Sequence, residues 1–323
     1  MLKVARSLVV ACALIPSAAS AEVNEVVLAQ QFGAAFTPLM FMEKFKLVEK
    51  HAVKQGLPEP KASWVKVAGP SVMNEGIISG SIQFASTGSP ALALIWDRTK
   101  GGVKGLAMIC QYTLFFDTRN PAVKSVLDFG ENDRVAMASV KVSTQAILMQ
   151  MEVERLLGVG KHDAQDHLTV SLSNPEGMAS LLNERSPVTA AVIPSPFHDV
   201  AMKSGKVRTV HEGNTAVFLV ASDRFRSANP KTTKAVFDAL SEAIDMVNAD
   251  KPRAVAVYKE MSGDRTSAEE LTGMMFNPKF TFTMTPRDVT AIGQFMHRIG
   301  TLKTPVTSWK DLFFPEVHGL PGS

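Results

Sequence analysis

Cysteine is almost missing from this chain: of 323 residues only Cys12 and Cys110 are cysteine. Cys12 lies in a segment that reads as a leader to be removed, so no internal disulfide is expected. Cys110, set among Met108, Ile109 and Tyr112, reads as a small buried hydrophobe. Long apolar runs are lacking too. Beyond the leader no stretch reaches the roughly 20 apolar residues of a membrane-spanning helix. Charge of one sign is lacking, since 34 Lys and Arg stand against 31 Asp and Glu, a formal net charge of +3. Two of those cations, Lys3 and Arg6, belong to the leader, so no basic face for nucleic acid is implied. The chain has no G-x-S-x-G elbow, no Walker loop and no H-E-x-x-H. Its histidines are scattered, and His162 and His167 beside Asp163 and Asp166 read as a polar surface loop. No catalytic residue, metal or cofactor is therefore expected.

What is present begins with an address. Lys3 and Arg6 form a positive start, Leu8 to Ile15 a short apolar core, and Pro16 ends it. Ala19-Ser20-Ala21 supplies the small-x-small pattern of a signal-peptidase site. The mature chain is expected to start near Glu22, in a bacterial periplasm. Val9-Val10-Ala11-Cys12 also fits a lipoprotein box, which leaves a lipid anchor through Cys12 as the alternative. Hydrophobic residues make up 46% of the chain, enough for one large core or two lobes without disulfide staples.

After Ala21 short strand-like runs alternate with helical ones, the pattern of an α/β protein. Val23–Ala29, Trp64–Val67 and Ile82–Ala85 read as strands. Pro38–Glu49, Ser71–Ile78 and Ala91–Arg98 read as the helices that follow them. Gly105–Phe116 reads as a crossing into a second lobe that repeats the theme. Its strands are Arg134–Ala138, Leu168–Ser171 and Val188–Ile193, and its helices run from Ser143 to Leu157, Asn174 to Asn183 and Pro196 to Lys203. Val217–Ala221 returns the chain. Helices are then expected over Lys231–Asn248, Pro252–Met261, Ala268–Met275 and Pro286–Ile299. Lobe 1 is thus expected over residues 22–112 and 217–323, and lobe 2 over 113–216.

The strand-to-helix loops carry the functional signal. Each places small residues and proline at a helix start, where unpaired backbone N–H groups carry partial positive charge and attract anionic or polar groups. The candidates are Phe36-Thr37-Pro38, Gly69-Pro70-Ser71, Thr87-Gly88-Ser89 and, in the second lobe, Val142-Ser143-Thr144. Each alone is also an ordinary helix cap. Several at the ends of parallel strands in both lobes point to one crevice. Met73, Tyr112, Gln145, Asn174, Pro196, Phe197 and His198 fall beside the same loops, as apolar walls or amide donors of a small-molecule site. Arg98 and Arg119 are the nearby cations, and both read as solvated.

Phe36-Thr37-Pro38-Leu39 with Glu43-Lys44-Phe45 resembles the opening of the nitrate-, sulfonate- and taurine-type substrate-binding proteins of ABC importers. Those proteins are related to the thiamine-pyrimidine synthases. Gly76-Ile77-Ile78-Ser79-Gly80-Ser81-Ile82-Gln83-Phe84-Ala85 looks like the family's "A-L-x-S-G-x-I-D-f-a" run, and Gly88-Ser89-Pro90-Ala91-Leu92 like its "G-x-x-P-x-L" loop. Gln83 stands where the family often has an acid, and Asn132-Asp133-Arg134-Val135-Ala136 departs from "G-K-x-v-a". The resemblance implies a type II periplasmic-binding-protein fold, with a ligand cleft between two lobes that close by hinge motion. It implies a non-enzymatic receptor for a small organic molecule, a sulfonate, carboxylate or related compound, with an ABC permease as partner and a monomeric state. A ligand-presenting sensor subunit, or a thiamine-pyrimidine-related enzyme, is the alternative.

Overall fold

A computed structural model describes residues 22–67 and 69–323. The expected leader Met1–Ala21, with Cys12, lies outside them. The first βα series runs β1 (Glu25–Gln30), α1 (Thr37–Lys44), α2 (Leu47–Lys54), β2 (Lys61–Lys66), α3 (Pro70–Ser79), β3 (Phe84–Gly88) and α4 (Ser89–Arg98). Strand β1 pairs in parallel with β2 and β3. The long β4 (Val103–Thr118) leads to β5 (Val135–Met137), α5 (Thr144–Leu157), β6 (Thr169–Ser171), α6 (Asn174–Leu182), β7 (Ala190–Pro194) and α7 (Phe197–Met202). The chain comes back through β8 (Arg208–Ser222) into α8 (Asp223–Ala228), α9 (Pro230–Ala249), α10 (Lys251–Ser262), α11 (Ala268–Met275), β9 (Thr281–Phe282) and α12 (Thr290–Arg298).

The strands form one path, β2-β1-β3-β8-β4-β7-β5-β6, with β9 added on β4. Its centre is the antiparallel pair β4 and β8, running from Val103 opposite Ser222 to Thr118 opposite Arg208, with register shifts at Gly105/Ala107, Met108/Cys110 and Phe116/Asp117. At one end of this pair Val217–Ala221 of β8 takes on β3. At the other end Leu114–Thr118 of β4 takes on β7. Each long strand therefore belongs to a different half-sheet at either end. The change of partner falls near Cys110–Thr113 and Asn214–Val217.

Burial explains why β4 is so apolar. It is covered on both faces over most of its length, and Leu106 through Cys110 are fully buried, the condition under which a strand reads as a continuous hydrophobic run. Cys110 is among them, as its neighbours implied. The main core gathers Phe41, Phe84, Phe218 and Phe313, all with no exposed surface. Helix α9 joins it through the stripe Val236, Leu240, Ala243 and Val247, at the spacing that aligns one helical face. A smaller cluster, Ala136, Leu181, Ala191, Ile193 and Ala201, fastens α6 and α7 to the second half-sheet.

Several boundaries differ from the sequence reading. The single helix expected over Pro38–Glu49 is two helices, because Lys46 takes a left-handed φ of 49°. The helix expected from Pro286 starts at Thr290, after Asp288 at φ 58°. The strand expected at Ile82–Ala85 lies two residues later, so Gly88 ends a strand opposite Val217 instead of sitting in a loop. The return strand is three times its expected length, since Arg208–Ala216 also pairs with β4.

Candidate ligand-binding site

A small chamber of about 30 Å³ lies between the half-sheets. Four helix starts contribute to it: Phe36 before α1, Gly88 before α4, Ser143 before α5, and Asn174 at the first position of α6. The floor is the strand crossing, with Tyr112 and Leu114 of β4 against Thr215 and Val217 of β8. Ala138, Val142, Thr144 and Gln145 close it from the second half. Among the described residues no Asp, Glu, Lys, Arg or His lines it. The polar character comes from hydroxyls, amides and the free N–H groups of helix first turns.

The local chemistry of these groups follows from burial. Ser143, buried and in extended conformation, caps α5 by accepting from the Ala146 N–H at 3.3 Å, which leaves its own hydroxyl proton free to donate. Gln145 is committed to the scaffold: its amide donates to Val192 O at 3.0 Å and Asn174 Oδ1 at 3.1 Å. Burial, with the nearby Cys110 thiol, pushes the Tyr112 phenol far above its ordinary range, so it remains a neutral hydroxyl. Its ring stacks on Phe280 at 5.6 Å.

No protein-family model and no curated protein matches the chain. Solved structures do. The alkanesulfonate-binding protein SsuA from Xanthomonas axonopodis pv. citri, bound to MOPS, aligns with a TM-score of 0.67 at 17% identity, over 90% of this chain and 98% of that one. The periplasmic aliphatic sulphonate-binding protein SsuA from Escherichia coli gives 0.62 at 18%, over 91% and 98%. The nitrate-binding protein NrtA from Synechocystis PCC 6803 gives 0.67 at 14%, over 90% and 85%. The fold is that of a periplasmic binding protein.

Within this periplasmic-binding-protein fold the chamber sits where strands of both halves end, the usual crevice of open α/β sheets. A second cavity of about 260 Å³ shares Gln31 with the chamber. Its walls are apolar, with Met40 and Tyr258 from one half and Met178, Pro196, Phe197 and Val200 from the other. Lys66 and Asp264 stand at its edge.

The residues singled out in the sequence separate into three groups. Phe36, Gly88, Tyr112, Val142, Ser143, Thr144, Gln145 and Asn174 all line the chamber. Pro196 and Phe197 line the apolar cavity instead. The rest stand behind. Thr37 is buried with its hydroxyl donating to Ala34 O at 2.7 Å, and Pro38 occupies the first turn of α1. Thr87 and Ser89 flank Gly88, fully buried, and neither hydroxyl has a partner among the described residues. Gly69 caps α3, Pro70 begins it, and Ser71 is exposed with its hydroxyl 3.4 Å from Ser139 Oγ. Met73 is a core residue: it has no exposed surface and takes the Ser86 hydroxyl on its sulfur. His198 belongs to another cavity, stacked on Phe115 at 3.8 Å and paired with buried Asp117. Arg119 holds the Asn183 and Ser186 carbonyls. Gln31, Ala91, Leu114, Ala138, Thr215 and Val217 complete the chamber and were not anticipated. Thr215 was findable in principle, as the residue opposite Tyr112 in the crossing pair.

Proposed function

We propose that this protein is a periplasmic solute-binding receptor that takes a small organic anion, a sulfonate or carboxylate, and delivers it to an ABC importer. The observation that carries the reading is the buried chamber between two half-sheets, walled by neutral residues and entered by four helix starts. Such a site offers partial positive charge without a cationic side chain. The fold supports a binding role, since its solved relatives include sulfonate- and nitrate-binding proteins. The leader read in the sequence supports export, with a mature start near Glu22.

In this reading residues 22–112 with 217–323 form one lobe and 113–216 the other, in a monomer. The halves rock about the crossing of β4 and β8. Ligand binds the closed arrangement more tightly and so raises its population. The charged end of the ligand occupies the chamber, and the neighbouring apolar cavity receives what extends from it. Native mass spectrometry of protein secreted into the periplasm, followed by a thermal-shift screen of sulfonates and carboxylates, tests this. A small anion carried through purification, or a saturable rise in Tm with one of them, is expected. A panel without a single stabilising anion overturns the reading.

A further inference from the structure

Two glycines of the first half stand directly against the second half. Gly69 is extended at φ −168°, and a Cβ there would lie 2.5 Å from Ala138 O and 2.7 Å from Ser139 Oγ. Gly88 is extended at φ −85°, and a Cβ there would overlap Thr144 Oγ1. Neither position needs the conformational freedom of glycine, because both backbones are open to any residue. Both are helix N-caps, where Ser, Thr, Asn or Asp would add a capping bond. The chain forgoes that bond twice. What it gains at each place is close approach of the two halves.

That approach decides the size of the site. The chamber that remains is small, about 30 Å³. Among the described residues its lining holds no cationic side chain, so the positive potential comes from the helix starts that meet there. Resting on the receptor reading above, we infer that Gly69 and Gly88 are specificity-determining residues: they set how far the halves close, and the closed form selects an anion whose charged end is compact. A ligand with a bulkier charged end holds the halves apart and forfeits the contacts of closure. Selectivity by size is then a property of two missing side chains, and adding one shifts preference towards larger ligands.

The test measures calorimetric affinities for nitrate, formate, methanesulfonate and pivalate, whose three methyl groups crowd its carboxylate, on parent, Gly88→Ala, Gly69→Ala and the double variant Gly88→Ala with Thr144→Ala. Small-angle scattering follows closure in each. The parent is expected to bind one or more of the compact anions more tightly than pivalate, and to contract on binding. Gly88→Ala and Gly69→Ala should each weaken the compact anion about tenfold or more and abolish the contraction, while pivalate changes less than about threefold. Removing the Thr144 hydroxyl makes room for the new methyl, so the double variant should contract again. That rescue separates a closure gauge from simple misfolding. If the parent prefers pivalate, or the glycine variants lose affinity equally for every probe, or the double variant stays open, the gauge is wrong although the receptor reading stands. If no probe binds the parent, both fall together.

Discussion

Ser143→Ala separates the two duties of one hydroxyl. As the cap of α5, Ser143 Oγ accepts from the Ala146 N–H at 3.3 Å, and losing such a cap costs about 1 kcal/mol of stability, range roughly 0.5–2. In a protein of this size that lowers Tm by roughly 2–4 °C. Its second duty is to donate into the chamber it lines. A hydroxyl donating to a charged ligand group contributes about 1.5–3 kcal/mol, so binding should weaken roughly 10- to 150-fold. Ser222→Ala is the matched control. Ser222 caps α8 in the same way, accepting from the Phe225 N–H at 3.1 Å, but takes no part in the chamber. Both variants should lose similar stability by differential scanning fluorimetry, and only Ser143→Ala should lose affinity by calorimetry with an anion that binds the parent. Equal affinity in all three proteins would refute the placement of the ligand at the start of α5.

The core makes a steric prediction. A methyl at Gly105 would reach 2.6 Å from Phe313 Cδ1, in a ring that is fully buried and packed edge-on to Phe218 at 5.1 Å, so Gly105→Ala should cost about 1–3 kcal/mol and lower Tm by roughly 2–8 °C; an unchanged Tm would mean that the strand yields there. Acid sensitivity should centre on carboxylates such as Asp133. Burial alone would raise its pKa, but bonds from the Gly130 N–H, Thr189 Oγ1 and Asn120 Nδ2 outweigh that and hold it below the ordinary value of 3.8. A lowered pKa in the folded state means the stabilisation is present above about pH 4 and lost as pH falls through the folded value. Asp133→Asn should therefore be less stable at pH 7 and lose less between pH 5 and 3 by thermal denaturation; a slope parallel to the parent's would exclude Asp133. Intact mass of the exported protein should correspond to a chain starting at Glu22, and a diacylglycerol adduct on Cys12 would establish the lipoprotein alternative instead.

The sequence alone determined the alternation of strands and helices, because period and punctuation are local: Pro70, Pro90 and Pro230 open helices, and the apolar run of β4 announces a strand buried on both faces. It also marked the helix starts from which the chamber is built. It was blind to Arg208–Ala216, a polar run with Gly213 and Asn214 that no propensity would name a strand. That segment is extended because β4 offers it a full ladder of backbone partners, and pairing is a tertiary fact. For the same reason Met73 and Phe197, equally apolar in sequence, part company: α3 turns Met73 onto β3, whereas α7 brings Phe197 across the cleft to within 3.5 Å of where a side chain on Gly33 would begin. Which helix starts meet, and how near, depends on how the crossing strands fold one half against the other. Only the assembled structure shows Gly88 against Thr144 and Gly69 against Ala138, since the partners are 56 and 69 residues apart in the chain and no local pattern couples them.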